Sequence, residues 1–343
     1  MDTFSRKMEV VVMKRISYLF VFVMVIISIV VLANFPVGAA EYPTKPITII
    51  CPMAAGGEGD LHARAFAASA EKILGQPVVV VNKTGAAGTI GLQVCANAAP
   101  DGYTLCLGSN NFLLPVEWEI SEGRKPLATL NDFVSAGVFG QGLFVIAVPY
   151  NSPWKTLGDL INDGKAKPGQ YNFCSGGVNH PSHIAVEMLM KVAGLKFRHV
   201  PYTGGAPAVA ALVGNHAAFG AMSFTAAFPL VQGNKLRILA VTSPTRYKAL
   251  PDIPTLKDVG IDYEWVTLSV IWVPQKTPKP ILEKLEAVVK KVTEDKSFVK
   301  TLEKPGSDVV FMPADDVNRY MKSESERFAK LFKQLTEEEK GKK

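Results

Sequence analysis

The chain has 343 residues and a mass of 37.1 kDa, too long for one small core and suited to about two domains of ~100–200 residues each. Hydrophobic residues make up 48% and charged residues 20%, which excludes a disordered chain. The net charge of +6 is scattered, with no basic stripe interleaved with aromatics, and this argues against nucleic-acid binding.

At the N-terminus, Arg6, Lys7, Lys14 and Arg15 precede an uncharged apolar run over residues 16–33. Gly38-Ala39-Ala40 then supplies the small residues that a signal peptidase reads. The pattern is that of a secretory signal over residues 1–40, cleaved after Ala40, with translation starting at Met1 or Met13. The alternative is an uncleaved anchor, since the run reaches the lower limit of about 17–25 residues for a bilayer span. No later segment is long and apolar enough to cross a membrane, so the expected product is an exported, periplasmic soluble protein.

The chain that follows alternates strand and helix. Ile47–Cys51 reads as a buried strand. A Gly-rich turn leads to Asp60 as N-cap of a helix over 61–74 that stops at Gly75. Further strands are expected at 78–81, 103–107, 133–139, 143–148, 171–174, 217–223, 236–242 and 265–273. Helices are expected up to Ala98, from Thr156, over Pro181–Ala193, over 206–213, up to Gln232, over 278–294 and over 313–335. Short apolar strands joined by helices indicate parallel βαβ units. We therefore expect an α/β fold of two lobes, each a mostly parallel sheet flanked by helices, with a ligand cleft between them. The boundaries fall at 41–143 for the first part of lobe 1, 144–263 for lobe 2 and 264–343 for the second part of lobe 1.

Cys51, Cys95, Cys106 and Cys174 match no zinc spacing and read as small buried hydrophobes. The spacing leaves a Cys51–Cys106 or Cys95–Cys106 bridge open. Catalytic motifs fail: there is no G-x-S-x-G and no H-E-x-x-H. Gly57-x-Gly59 has His62 at the third glycine position of a dinucleotide loop. His180 and His183 lie three apart at a helix start with no third ligand in view, so no metal and no cofactor are expected. What remains is a set of small-residue turns, 54–60, 85–88, 175–181 and 203–207, each ahead of a helix. Helix N-termini offer unpaired backbone N–H groups and partial positive charge, and a Gly-rich approach lets an anion come close.

The stretch Tyr42-Pro-Thr-Lys-Pro-Ile47, then Pro52-x-x-x-Gly56-Gly57-x-x-Asp60-x-x-Ala63-Arg64, resembles the opening of the tripartite tricarboxylate transporter substrate-binding proteins of the Bug type. The likeness continues in order through Asn82-x-x-Gly85-Ala-x-Gly88, Pro100-Asp-Gly-Tyr-Thr-Leu105, Ser175-Gly-Gly-x-x-x-Pro-Ser-His183, His199-Val-Pro-Tyr-x-Gly-Gly-Ala-Pro207 and Leu236-Arg-x-Leu-Ala-Val-Thr-Ser243. The resemblance implies a periplasmic two-lobed receptor, acting as a monomer, that closes over a small organic carboxylate without chemistry. It also implies delivery to a membrane carrier of one large and one small subunit. By the same resemblance the carboxylate is held largely by backbone groups of loops 53–59 and 175–182. The candidate ligand-binding residues are Met53, Gly56, Gly57, Glu58, Ser109, Ser175, Gly177, Asn179, His180, Thr203 and Met222. Asn179-His180 stands where the family usually has Gly-Ser, Met222 stands where a strand-end Asp is common, and Glu58 is an acid close to where an anion should sit. Glu58 either faces solvent or pairs with a cationic group on the ligand. The rival readings are an exported hydrolase or isomerase using His180 or His183, and a ligand-sensing domain for a membrane receptor.

Overall fold

The computed structural model describes residues 42–340 except 179 and 249, with no side-chain description for 331 and 334–340. The expected signal segment lies outside the described residues. Strand β1 (Ile47–Cys51) runs into α1 (Glu58–Leu74), followed by β2 (Val78–Asn82), α2 (Thr89–Ala96), β3 (Thr104–Gly108), α3 (Leu113–Ser121) and β4 (Phe133–Pro149). Then come α4 (Leu157–Ala166), β5 (Asn172–Ser175), α5 (Pro181–Ala193), β6 (Arg198–Pro201), α6 (Gly205–Val213), β7 (Phe219–Ser223), α7 (Phe224–Gln232) and β8 (Leu236–Val241). The chain closes with β9 (Val266–Pro274), α8 (Lys279–Glu294), α9 (Lys296–Glu303) and α10 (Ala314–Lys340).

The strands form one mixed sheet in the order β2-β1-β3-β9-β4-β7-β5-β6, with β8 also on β4. The β1–β2, β1–β3, β5–β6 and β5–β7 pairs are parallel, whereas β9 and β4 pair antiparallel to their neighbours. Most of these strands are apolar runs buried from both sides, as sheets with helices on their faces require.

The two strands expected at 133–139 and 143–148 are one 17-residue strand. Glycines 137, 140 and 142 resemble breaks in sequence. In the structure the register shifts twice, between Ser135 and Gly137 and between Val138 and Gly140, and pairing continues through the glycines. Along β4 the partner changes at one point. Phe133–Leu143 pair with β9, and from Phe144 onward the strand pairs with β7 and β8. Thr242, fully buried, pins that point. Its amide donates to Phe144 O at 2.9 Å, and its hydroxyl accepts from the Phe144 amide at 3.0 Å. The Thr242 hydroxyl also lies 2.7 Å from Trp265 O. The two chain crossings between the halves of the sheet, at 143–144 and at 242–265, are thus tied to each other.

Packing on the β9 side centres on Trp272. Its ring stacks on Phe133 with centroids 5.2 Å apart, and its Nε1 donates to Ser135 Oγ at 3.1 Å. Gly108 on β3 has no room for a side chain because the Trp272 ring occupies that space. All four cysteines are buried and unpaired, filling gaps among β1, α2, β3 and β5. Among the described residues no helix is long and apolar enough to cross a membrane.

Candidate functional site

The first loop is rigidified by Asp60, which is not the N-cap of α1. The helix begins at Glu58 with Gly57 as N-cap, in extended backbone (φ −83°, ψ 174°) and with no side-chain cap. From the first turn, Asp60 reaches back to accept from the Gly56 amide at 2.9 Å, and it also accepts from Asn82 Nδ2 at 2.9 Å and Arg64 Nε at 3.0 Å. Although burial pushes its pKa up, the bonds from Arg64, Gly56 and Asn82 win and hold it below the usual carboxylate range. Asn82 also donates to Met53 O at 3.0 Å, and the Met53 thioether lies where a side chain on Gly59 would stand. The Gly56 amide is therefore spent inside the loop. The first-turn amides of Glu58 and Gly59 have no side-chain cap.

Glu58 turns inward. Its carboxylate rests against Gly142 on β4, at the place a side chain there would need. Its one hydrogen-bond donor among the described residues is the Ser307 hydroxyl, at a long 3.5 Å. Ser307 Oγ is 2.8 Å from His62 Nε2, and His62 Nδ1 is 2.6 Å from Ser269 Oγ. A neutral His62 ring donates from one nitrogen and accepts at the other, and which of the two faces Ser307 depends on its tautomer. Burial holds the His62 pKa down at about 4, consistent with this neutral ring. Burial raises Glu58 to about 7 and the Ser307 bond offsets only part of this.

The second loop is stitched by hydroxyls. The Gly177 amide donates to Ser175 Oγ at 3.2 Å, and Ser175 Oγ is 2.6 Å from His199 Nε2. The Gly176 amide donates to Ser182 Oγ at 3.0 Å. His180 caps α5: its Nδ1 accepts from the Ser182 amide at 3.2 Å and lies 2.8 Å from Ser182 Oγ. Burial, with His183 adding to it, depresses the His180 pKa to about 4, so the ring is neutral. With Nδ1 accepting, the proton sits on Nε2, an N–H donor with no acceptor among the described residues. Gly177 (φ +130°) lies against Tyr202 O, and the Tyr202 amide donates to Ser175 O at 3.0 Å, so the exposed Thr203 adjoins this loop. His183 stacks on His199 with centroids 3.9 Å apart, and its Nε2 is 3.3 Å from Glu187. Among the described residues no three His, Cys, Asp or Glu side chains converge to hold a metal ion.

Both loops come to β4. The His180 ring meets Phe144 edge-on at 6.4 Å, and Glu58 covers Gly142. Positions 142 and 144 share one face of the strand, about 7 Å apart. Gly142 pairs with Thr267 on β9, whose hydroxyl lies 3.4 Å from Asn111 Nδ2. Ser109 caps that 110–112 turn by accepting from the Asn111 amide at 3.2 Å. Met222 is buried on β7 opposite Val145, packed among Leu143, Val145 and Val241. Asn179 lies outside the described residues. The amides of Gly56, Gly176 and Gly177 are bonded within their own loops. Gly142, Phe144, Ser182 and Ser307 were not expected at all. Only the Gly140-x-Gly142 pair between two apolar runs hinted at a crowded strand face.

Residues 62–336 match the family model described as "Tripartite tricarboxylate transporter family receptor". A Cupriavidus necator protein described as "UPF0065 protein in gbd 5'region" is 33% identical over 276 residues, covering 80% of this chain and 82% of its own. The solved periplasmic binding protein BugD is 30% identical with a TM-score of 0.77, covering 85% of this chain and 98% of its own. Rpa4515 of R. palustris, solved with adipate, is 25% identical with a TM-score of 0.76, covering 84% of this chain and 97% of its own.

Proposed function

The chain belongs to the tripartite tricarboxylate transporter receptor family, and from that premise we propose that it captures a small organic carboxylate and delivers it to a tripartite carrier. The observation that carries the reading is the convergence of loops 53–59 and 175–182 on one face of β4 at the point where that strand changes partner. A dicarboxylate, adipate, occupies the solved relative Rpa4515. Lobe 1 comprises 41–143 and 264–343 and lobe 2 comprises 144–263, with Thr242 at the hinge. Closure buries the ligand between the lobes and is driven by its higher affinity for the closed state.

The receptor works in the periplasm after its signal is removed behind Ala40, as a monomer, and its carrier has one large and one small membrane subunit. It performs no chemistry on the ligand. The Ser182 hydroxyl is buried and accepts from the Gly176 amide, which supports a positioning role and not that of a nucleophile. The ligand set is the Glu58 carboxyl, the His180 Nε2–H and the first-turn amides of α1, with Ser109, Ser175, Gly177 and Thr203 shaping the walls.

The test is a thermal-shift panel of mono-, di- and tricarboxylates with product analysis. A binder at about 100 times Kd is expected to add about 2.7 kcal/mol of stability with the compound recovered unchanged. A panel without any shift, or conversion of the compound, contradicts the reading.

A further inference from the structure

We propose that Cys95 and Cys106 become joined by a disulfide in the exported protein, a bridge that clamps α2 to β3. The inference rests on the export reading and on nothing said of the ligand. All four thiols stand reduced and buried in the structure, and their placement allows one pairing. Parallel pairing sets Cys106 beside Ile50, so both side chains leave the sheet on one face. Cys51, next along β1, leaves on the other face, and its Sγ lies 3.8 Å from Met53 O in the first loop. Cys174 is on β5, where its Sγ fills the space that a side chain at Gly220 would need.

Helix α2 covers the face that carries Ile50 and Cys106. Gly91, Leu92 and Cys95 are among its buried residues, and Ile50, Leu92, Cys95 and Cys106 share one core cluster. The helix is pressed close to the sheet. A Cβ at Gly91 would stand 2.5 Å from Lys83 O and 2.9 Å from Pro52 Cα, so only glycine fits there. Cys95 is one turn further along the same side of the helix. Across this short gap the Cys106 thiol is hydrogen-bonded to Cys95. Close approach of the two backbones with the sulfurs facing each other is the arrangement a bridge needs.

The bond forms by exchange with a protein disulfide of the export compartment. One cysteine attacks as its thiolate and makes a mixed disulfide. The second attacks that sulfur and releases the oxidant as a dithiol. Two S–H bonds are lost and one S–S bond is gained, and the two electrons and two protons pass to the oxidant. In the folded chain the pair is 1% and 0% exposed, and burial pushes the Cys106 thiol far up, so the exchange takes place before the core closes. The bridge then holds the strand whose end leads into the Ser109 turn.

The experiment is a thiol count on the full chain, expressed in a Gram-negative host and purified from its periplasm without reductant. The protein is unfolded in guanidinium with iodoacetamide and digested with trypsin for mass spectrometry. Peptide 84–124 contains both cysteines and is expected unalkylated and two hydrogens lighter than its dithiol form, with Cys51 and Cys174 alkylated. Protein refolded after reduction is expected to melt about 5 °C lower, a difference that Cys95→Ala does not show. Four alkylated cysteines in periplasmic protein, or a bridge through Cys51 or Cys174, overturn the inference and leave export standing. An equal melting difference in Cys95→Ala overturns the clamp. A chain recovered only from the cytoplasm overturns export, and the inference falls with it.

Discussion

Replacing His62 with alanine is expected to destabilise the protein by about 3–5 kcal/mol, read from the urea midpoint at pH 7. The residue is 1% exposed, and its ring fills space beside Phe139, with centroids 6.5 Å apart. Removing it leaves a cavity there and strips the buried Ser269 and Ser307 hydroxyls of their partner. The same variant isolates a pH dependence. Burial lowers the His62 pKa from 6.5 to about 4 in the folded state. Between those values the unfolded chain binds a proton that the folded chain refuses, so this contribution is present above pH 6.5 and lost as pH falls toward 4. The stability difference between wild type and His62→Ala is therefore expected to shrink by roughly 3 kcal/mol on acidification over that window. Glu58 opposes this in wild type. Its raised pKa gives stability that is present below about 4.5 and lost as pH rises through about 7. The difference curve cancels that term only while Glu58 keeps its surroundings, so Glu58→Gln in both backgrounds is the control. A pH-independent difference would show that His62 titrates normally.

Gly57→Leu is expected to abolish ligand capture while leaving the fold in place. The backbone there is extended, which leucine adopts, and its Cβ meets Ala54 O at 3.3 Å, a tight contact that the exposed Ala54–Gly56 loop has to yield to slightly. Glycine is also a better N-cap than leucine, so a loss of about 1 kcal/mol is expected. The side chain, however, is added at the N-cap of α1, beside the uncapped first-turn amides and Glu58 of the proposed ligand set. An affinity loss of about 30-fold or more is expected for whichever carboxylate wild type binds, with the far-ultraviolet dichroism unchanged. Retained affinity would move the ligand away from this turn.

The sequence shows its local features well. The apolar run Ile47–Cys51 is a strand to the residue, and Pro181-Ser-His183 opens its helix where the Pro-at-N1 preference places it. The loops were legible as loops, and Glu58 and His180 stood out as unusual residues in them. Their chemistry was not legible, because it depends on partners far along the chain. Ser307 lies 249 positions from Glu58, and Ser269 lies 207 from His62. Nothing local says that Gly142 seats a carboxylate or that Asp60 prefers the Gly56 amide to capping its own helix. Read from sequence, β4 divides in two because glycine acts as punctuation, whereas in the structure Gly142 admits the Glu58 carboxylate and pairing continues through the glycines.

The most direct test is a crystal structure of the protein with its tightest-binding carboxylate. The account predicts that a ligand carboxylate oxygen lies about 2.7–3.2 Å from His180 Nε2, over the β4 face between Gly142 and Phe144. A ligand seated away from that face, or His180 Nε2 bonded only to the protein's own groups in the complex, would contradict it.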